Sequence, residues 1–84
     1  MLPIHIEETF NDEKSVSISV DGNLDMDSVP LLKDVCQKHL IEGLEVILNL
    51  SGLRHISREG RSYLGSLRDK VRIENPPSFM QLQP

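Results

Sequence analysis

VILNLSGLRHISREGRSYL, residues 46–64, reads as a buried strand, a tight loop and the opening of a helix. In open α/β folds, function concentrates at such strand-to-helix corners, where backbone N–H groups point outward. This corner carries Arg58 and Glu59 and has no nucleophile–base pair. Its residue types favour a binding surface over an active site.

On the N-terminal side of the corner, Leu44 to Leu50 is nearly continuous apolar sequence, interrupted by Glu45 and Asn49. That suits a central parallel strand covered on both faces, which Ser51-Gly52 should break. Ile56 is placed to plug the core below the loop, and Ser57 to cap the second helix through its hydroxyl. Tyr63, Leu64 and Leu67 form that helix's inward stripe, while Arg61, Arg68 and Asp69 face water. Val71 to Glu74 alternate as a short last strand, and Pro76-Pro77 ends regular structure. Ser78 to Leu82 would add at most one further helical turn, too short to stand alone.

Upstream, Leu31, Leu32, Val35, Cys36, His39 and Leu40 recur at three- and four-residue spacings. Those positions share a face only in a helix, which predicts a helix from Val29 to Ile41. Asp27 or Ser28 can cap it, Pro30 fits its first turn, and Gly43 can end it in a left-handed conformation. Val16, Ile18 and Val20 alternate with serines as a strand with one polar face, closed by Asp21-Gly22. Ile4 to Phe10 alternates less cleanly, which marks an edge strand, and Asn11-Asp12 turns the two into a hairpin. The result is an α/β fold of about four strands in a mixed sheet, with two main helices on one face. Right-handed crossovers make the last three strands parallel.

The 84 residues amount to a single domain, 1–84. One cysteine, Cys36, permits no internal disulfide, so stability rests on apolar packing. The 13 acidic and 9 basic residues leave a net charge of −4, which argues against phosphate-backbone binding. With stacking aromatics scarce as well, nucleic acid is excluded as a partner. No apolar run reaches the roughly 20 residues that span a bilayer, and MLPIHIEETF lacks a signal peptide's basic start and long apolar core. The expectation is a cytoplasmic protein without membrane insertion.

Cys36 lies three residues before His39 but inside the apolar stripe, so it reads as packing rather than as a nucleophile. His5, His39 and His55 fall on different elements and lack metal-ligand spacing. No metal or cofactor is expected. Asp25 and Asp27 precede the first helix in a polar loop, where capping and solvation compete with ligand binding. Gly52 and Gly60 make no phosphate cradle. Arg54, Arg58 and Arg61 could converge near the second helix's N-terminus, with Glu59 opposing an anion there.

VDGNLDMDSVPLLKDVCQKHLIEGLEVILNLSGLRHISREGRSYLGSL, residues 20–67, orders a Gly22-x-Leu24-Asp25 strand end, a Val29-Pro30-x-Leu32 helix start, the Val46–Leu50 strand and a corner at Gly60, and in this it resembles the STAS domain of anti-sigma factor antagonists. Gly22-x-Leu24-Asp25 matches that family's G-x-L-D, Val29-Pro30-x-Leu32 its helix start and Val46–Leu50 its central strand. Leu53-x-x-Ile56 matches the following loop, Gly60 takes the corner glycine and Leu64 a core position of the second helix. The resemblance implies a STAS-like fold and a kinase-like anti-sigma factor as partner. In regulatory members the serine after a corner aspartate is phosphorylated. Here Ser57 holds the aspartate position, Arg58 the phosphoacceptor position and Glu59 the next small position. The resemblance therefore implies no phosphorylation at Arg58, and Ser57 is assigned to capping instead. Family members continue into another long helix; the short C-terminal tail here fits a short natural variant and a truncated form equally, and either leaves surface for a homodimer or an exchange of termini.

The function expected is a non-catalytic protein-interaction module for an anti-sigma factor or related signalling protein. Its surface comprises Asp25, Asp27, His55, Ser57, Arg58, Glu59 and Arg61. The alternatives are an anion- or nucleotide-sensing module at the Ser57 helix N-terminus, and a structural subunit of a larger regulatory or transport assembly.

Overall fold

In the computed structural model, residues 4–76 are described. Two strands, β1 (Ile4–Phe10) and β2 (Ser15–Leu24), precede helix α1 (Val29–Ile41). Strand β3 (Glu45–Ile56), helix α2 (Arg58–Leu67) and strand β4 (Arg72–Glu74) follow. The four strands form one sheet in the order β1-β2-β3-β4, with β1 antiparallel to β2 and the other pairs parallel. The mixed sheet and the exact span of α1 agree with the sequence expectation. Ser78 to Leu82 and Pro77 lie outside the described residues.

The hairpin is closed by Asp12, whose carboxylate accepts the N–H groups of Lys14 at 2.7 Å and Ser15 at 2.9 Å. Those bonds, first that of Lys14, hold its carboxyl below the usual range. Register then sorts the side chains. Val16, Ile18 and Val20 pair with or flank Val46 and Leu48, and with Leu50 all six are fully buried under the helices. Each such side chain contributes about 1.5–3 kcal/mol relative to exposure. The opposite face carries Ser17, Ser19, Ile47 and Asn49 half-buried, with Glu7, Asp21 and Arg72 exposed. Among the described residues β3 is thus covered by helices on one face, not on both. The polar alternation of β2 and the Asn49 interruption in β3 mark that open face.

Neither Asp21-Gly22 nor Ser51-Gly52 ends its strand. The β2–β3 ladder shifts register twice, between Ser19 and Asp21 and between Gly22 and Asn23, and at each shift β3 carries one more residue than β2. The inward positions of β3 therefore change from every second residue (46, 48, 50) to every third, at Leu53 and Ile56. Bulges of this kind bend and twist a strand without ending it. Gly22 adopts φ 104° within the bulged region, a conformation that glycine tolerates and other residues do not.

Helix α1 ends at Gly43, where φ is 82° and the chain reverses into β3. At its start the capping differs from expectation. Ser28 occupies the N-cap position but its hydroxyl makes no cap bond to the helix. It instead donates to the Asn23 carbonyl at 2.8 Å and accepts the Asp25 N–H at 2.9 Å. The Asp25 carboxylate accepts from the N–H groups of Asp27 at 3.0 Å and Ser28 at 3.1 Å, so Asp25, not Asp27, organises the turn. Leu31 departs from the inward stripe and is exposed, while Leu32, Cys36 and His39 are buried.

His39 is fully buried, and its surroundings account for the imperfect pattern of β1. Glu8 and Phe10 lie on the helix-facing side of β1, opposite Ile18 and Val16. The Glu8 carboxylate contacts His39 Nε2, Glu42 Oε1 lies 3.4 Å from Nδ1, and the Phe10 ring stands edge-on with centroids 5.5 Å apart. A buried imidazole requires partners for its nitrogens, and these residues supply them. The inward charge on β1 thus ties the edge strand to α1.

Removing the carboxylate by Glu8→Ala leaves a buried ring nitrogen without that partner and should lower stability by about 1–3 kcal/mol in urea unfolding. Glu7→Ala, exposed on the other side of the same strand, should stay within about 0.5 kcal/mol. Equal midpoints for the two variants would contradict the tie between β1 and α1.

Candidate functional site

The carboxyl ends of β2 and β3 lie side by side, because Leu24 pairs with Ile56 and Asn23 with His55. Two connections leave from this edge: the Asp25–Ser28 turn into α1, and Ser57 into α2. The Ser57 N–H donates to the Leu24 carbonyl at 2.9 Å, which continues the ladder by one bond before the chain turns. Ser57 is extended (φ −77°, ψ 175°), and its hydroxyl accepts the Gly60 N–H at 3.1 Å. The expected cap is present. Glu59 adds a carboxylate to the first turn, where the helix dipole favours it.

Gly60 shows how tightly this turn is seated. A methyl group at its Cα would stand 2.5 Å from the Leu24 carbonyl oxygen and about 3 Å from the Ile56 and Leu24 side chains. The first turn of α2 therefore rests directly on the end of β2. Leu24, invisible as a site residue in the sequence, is the platform under it. The signal that could have found it was the required alignment of G-x-L-D with the corner glycine.

Of the seven residues expected to form the surface, all lie on this edge or on the first turn of α2. Asp25 is half-buried and its carboxylate is occupied by backbone N–H groups, so its role is to shape the turn. Asp27, Arg58, Glu59 and Arg61 are exposed, and none makes an ion pair with another described residue. His55 is also exposed but stands on the bulged end of β3, not in a loop. Ser57 is half-buried at the cap. The arrangement presents both signs of charge on a firmly seated turn.

Burial pushes the Cys36 thiol up to about 11, an effect that its neighbour Tyr63 only partly offsets. A thiol held this far above neutrality is a poor nucleophile at pH 7. His39 is buried against Glu8, and His55 is exposed at the end of β3. Among the described residues no three His, Cys, Asp or Glu side chains converge as a metal site requires. No described helix is long and apolar enough to cross a membrane.

No protein-family model matches the sequence, and no curated protein matches it significantly. Solved structures do share its fold. An anti-sigma factor antagonist from Mycobacterium paratuberculosis superposes with a TM-score of 0.69 at 19% identity, over 87% of this chain and 62% of that one. The anti-sigma factor antagonist SpoIIAA in its unphosphorylated form gives 0.67 at 19% identity, over 93% of this chain and 82% of its own. A STAS-domain antisigma-factor antagonist from Rhodobacter sphaeroides gives 0.65 at 18% identity, over 86% of each chain. This chain thus spans less than two thirds of the first of these structures. At such identities the likeness establishes a common fold, the STAS fold.

Two glycines of α2 separate seating from helix propensity. Gly60→Ala places a methyl group against the Leu24 carbonyl and should cost about 1–3 kcal/mol despite alanine's better propensity. Gly65→Ala meets nothing within 4 Å and should stabilise by about 0.5–1 kcal/mol. Thermal or urea unfolding of the pair checks the opposite signs.

Proposed function

We propose that this chain is a non-catalytic protein-interaction module that binds an anti-sigma factor or a kinase-like regulatory protein. Its contact surface is the edge formed by Asp25, Asp27, His55, Ser57, Arg58, Glu59 and Arg61. The observation that carries this reading is the set of exposed charges at Asp27, Arg58, Glu59 and Arg61, which make no ion pair among the described residues and are displayed on a turn held by the Ser57 cap and Gly60 packing. Fixed charges on a rigid turn select partners and steer encounter, because little side-chain and loop ordering remains to oppose binding. The shared fold with anti-sigma factor antagonists supports the class of partner.

Regulation differs from a serine switch at the second residue of the corner. Arg58 has no hydroxyl to phosphorylate, and the Ser57 hydroxyl is engaged as the helix cap. The module is therefore constitutive at this position, with binding governed by charge. Such a role is exercised in the cytoplasm.

Arg58→Glu reverses one exposed charge and should change folding stability by no more than about 0.5 kcal/mol. In parallel affinity captures it should remove a partner retained by the unaltered chain; an unchanged partner set would exclude Arg58 from the surface. Incubation with ATP and the captured kinase-like partner should leave Ser57 unmodified by mass spectrometry. Stoichiometric phosphate on Ser57 would overturn constitutive binding.

A further inference from the structure

A cleft of about 490 Å³ runs between α1 and α2, away from the corner, and no corner residue lines it. Its apolar lining comes from Leu40 and Ile41 of α1 and Leu67 of α2, and Lys33 and Lys70 complete opposite walls. Ile41 is 85% exposed, an unfavourable position for a large apolar side chain that no other described residue covers. Neither lysine forms an ion pair with a described residue. Asp34 and Asp69, their sequence neighbours, are exposed and do not line the cleft.

Topology orients the two walls. Each helix connects adjacent parallel strands, so α1 and α2 both run back against the strands and lie in the same sense. The lining residues of α1 extend from Lys33 to Ile41, about 12 Å at 1.5 Å per residue. Lys33 opens the trough on one wall, and Lys70 closes it at the far end of the other. A groove with an apolar floor and a cation at each end matches an extended amphipathic element better than a ligand with a single charged head. It also stands out as cationic on a chain whose net charge is −4.

We propose that this cleft is a docking groove for an acidic amphipathic helix of a protein partner. The helix seats its apolar stripe on Leu40, Ile41 and Leu67 and brings a carboxylate to each of Lys33 and Lys70. Ridge-into-groove packing and charge complementarity then act together. The chain's own residues 77–84, PSFMQLQP, contain no acidic side chain and do not meet the charge requirement. Tyr63 also lines the cleft, with its hydroxyl buried beside the Cys36 thiol.

The test uses a stapled, fluorescein-labelled helical peptide with leucines on one face and glutamates about two turns apart. Its control carries glutamines in place of the glutamates. By anisotropy at low salt, the acidic peptide should bind at least about tenfold more tightly than the control. Its amide shift changes should centre on Gln37, Leu40, Ser66 and Lys70. The double variant Lys33→Glu/Lys70→Glu should abolish the difference between the peptides, and Ile41→Ser should weaken both. All three positions are exposed, and circular dichroism verifies that the variants fold. Equal affinity for the two peptides, or shifts centred on the Ser57 corner, would overturn the proposal. So would binding to anionic phospholipid vesicles in place of the acidic peptide.

Discussion

The carbonyl oxygen of Leu24 is the point on which the corner depends. It accepts the Ser57 N–H, and the backbone of Gly60 lies so close to it that no side chain fits between. One acceptor thereby fixes where β3 ends, how α2 begins and which way the first-turn side chains project. For Leu24 to reach this position, β2 must run past Asp21-Gly22, and β3 must take in two extra residues to stay alongside. The bulges are the geometric means by which two strands of unequal length finish together. That alignment sets where the backbone that carries the exposed Arg58, Glu59 and Arg61 leaves the sheet.

The opposite end of the sheet is held by different chemistry. There His39, on the buried face of α1, engages Glu8 of the edge strand, with Glu42 and Phe10 around the ring. The buried imidazole would be costly without partners, and the partly exposed Glu8 carboxylate supplies one from the edge strand. The sheet is thus fastened at one end by a polar pair and at the other by close backbone packing, with a dry aliphatic centre between them. This division leaves the helix-side corner firm and the outer sheet face polar.

Much of this architecture was legible in the sequence. The three- and four-residue spacing from Leu32 to Leu40 located α1, and the alternation of Val16, Ile18 and Val20 located β2, because each period corresponds to only one backbone geometry. Ser57 was recognisable as a cap because its hydroxyl precedes the apolar helix stripe. What escaped was non-local. Leu50, Leu53 and Ile56 fall at intervals of three, which resembles a loop until the paired strand is known. Glu8 and His39 are 31 residues apart, and nothing in either local pattern announces their contact. Asp25 acts through backbone N–H groups, a role indistinguishable in sequence from that of Asp27. The cleft between the helices is likewise a product of packing, since Lys33 and Lys70 share no local motif.

Amide hydrogen exchange of the native chain tests the central claim most directly. If the Leu24 carbonyl secures the turn, the Ser57 amide should exchange with a protection approaching that of Leu48 and Leu50 in the middle of β3, and the Gly60 amide should open together with it. A Ser57 amide that exchanges as freely as those of the exposed hairpin turn would contradict the account, because the charged edge would then have no fixed support.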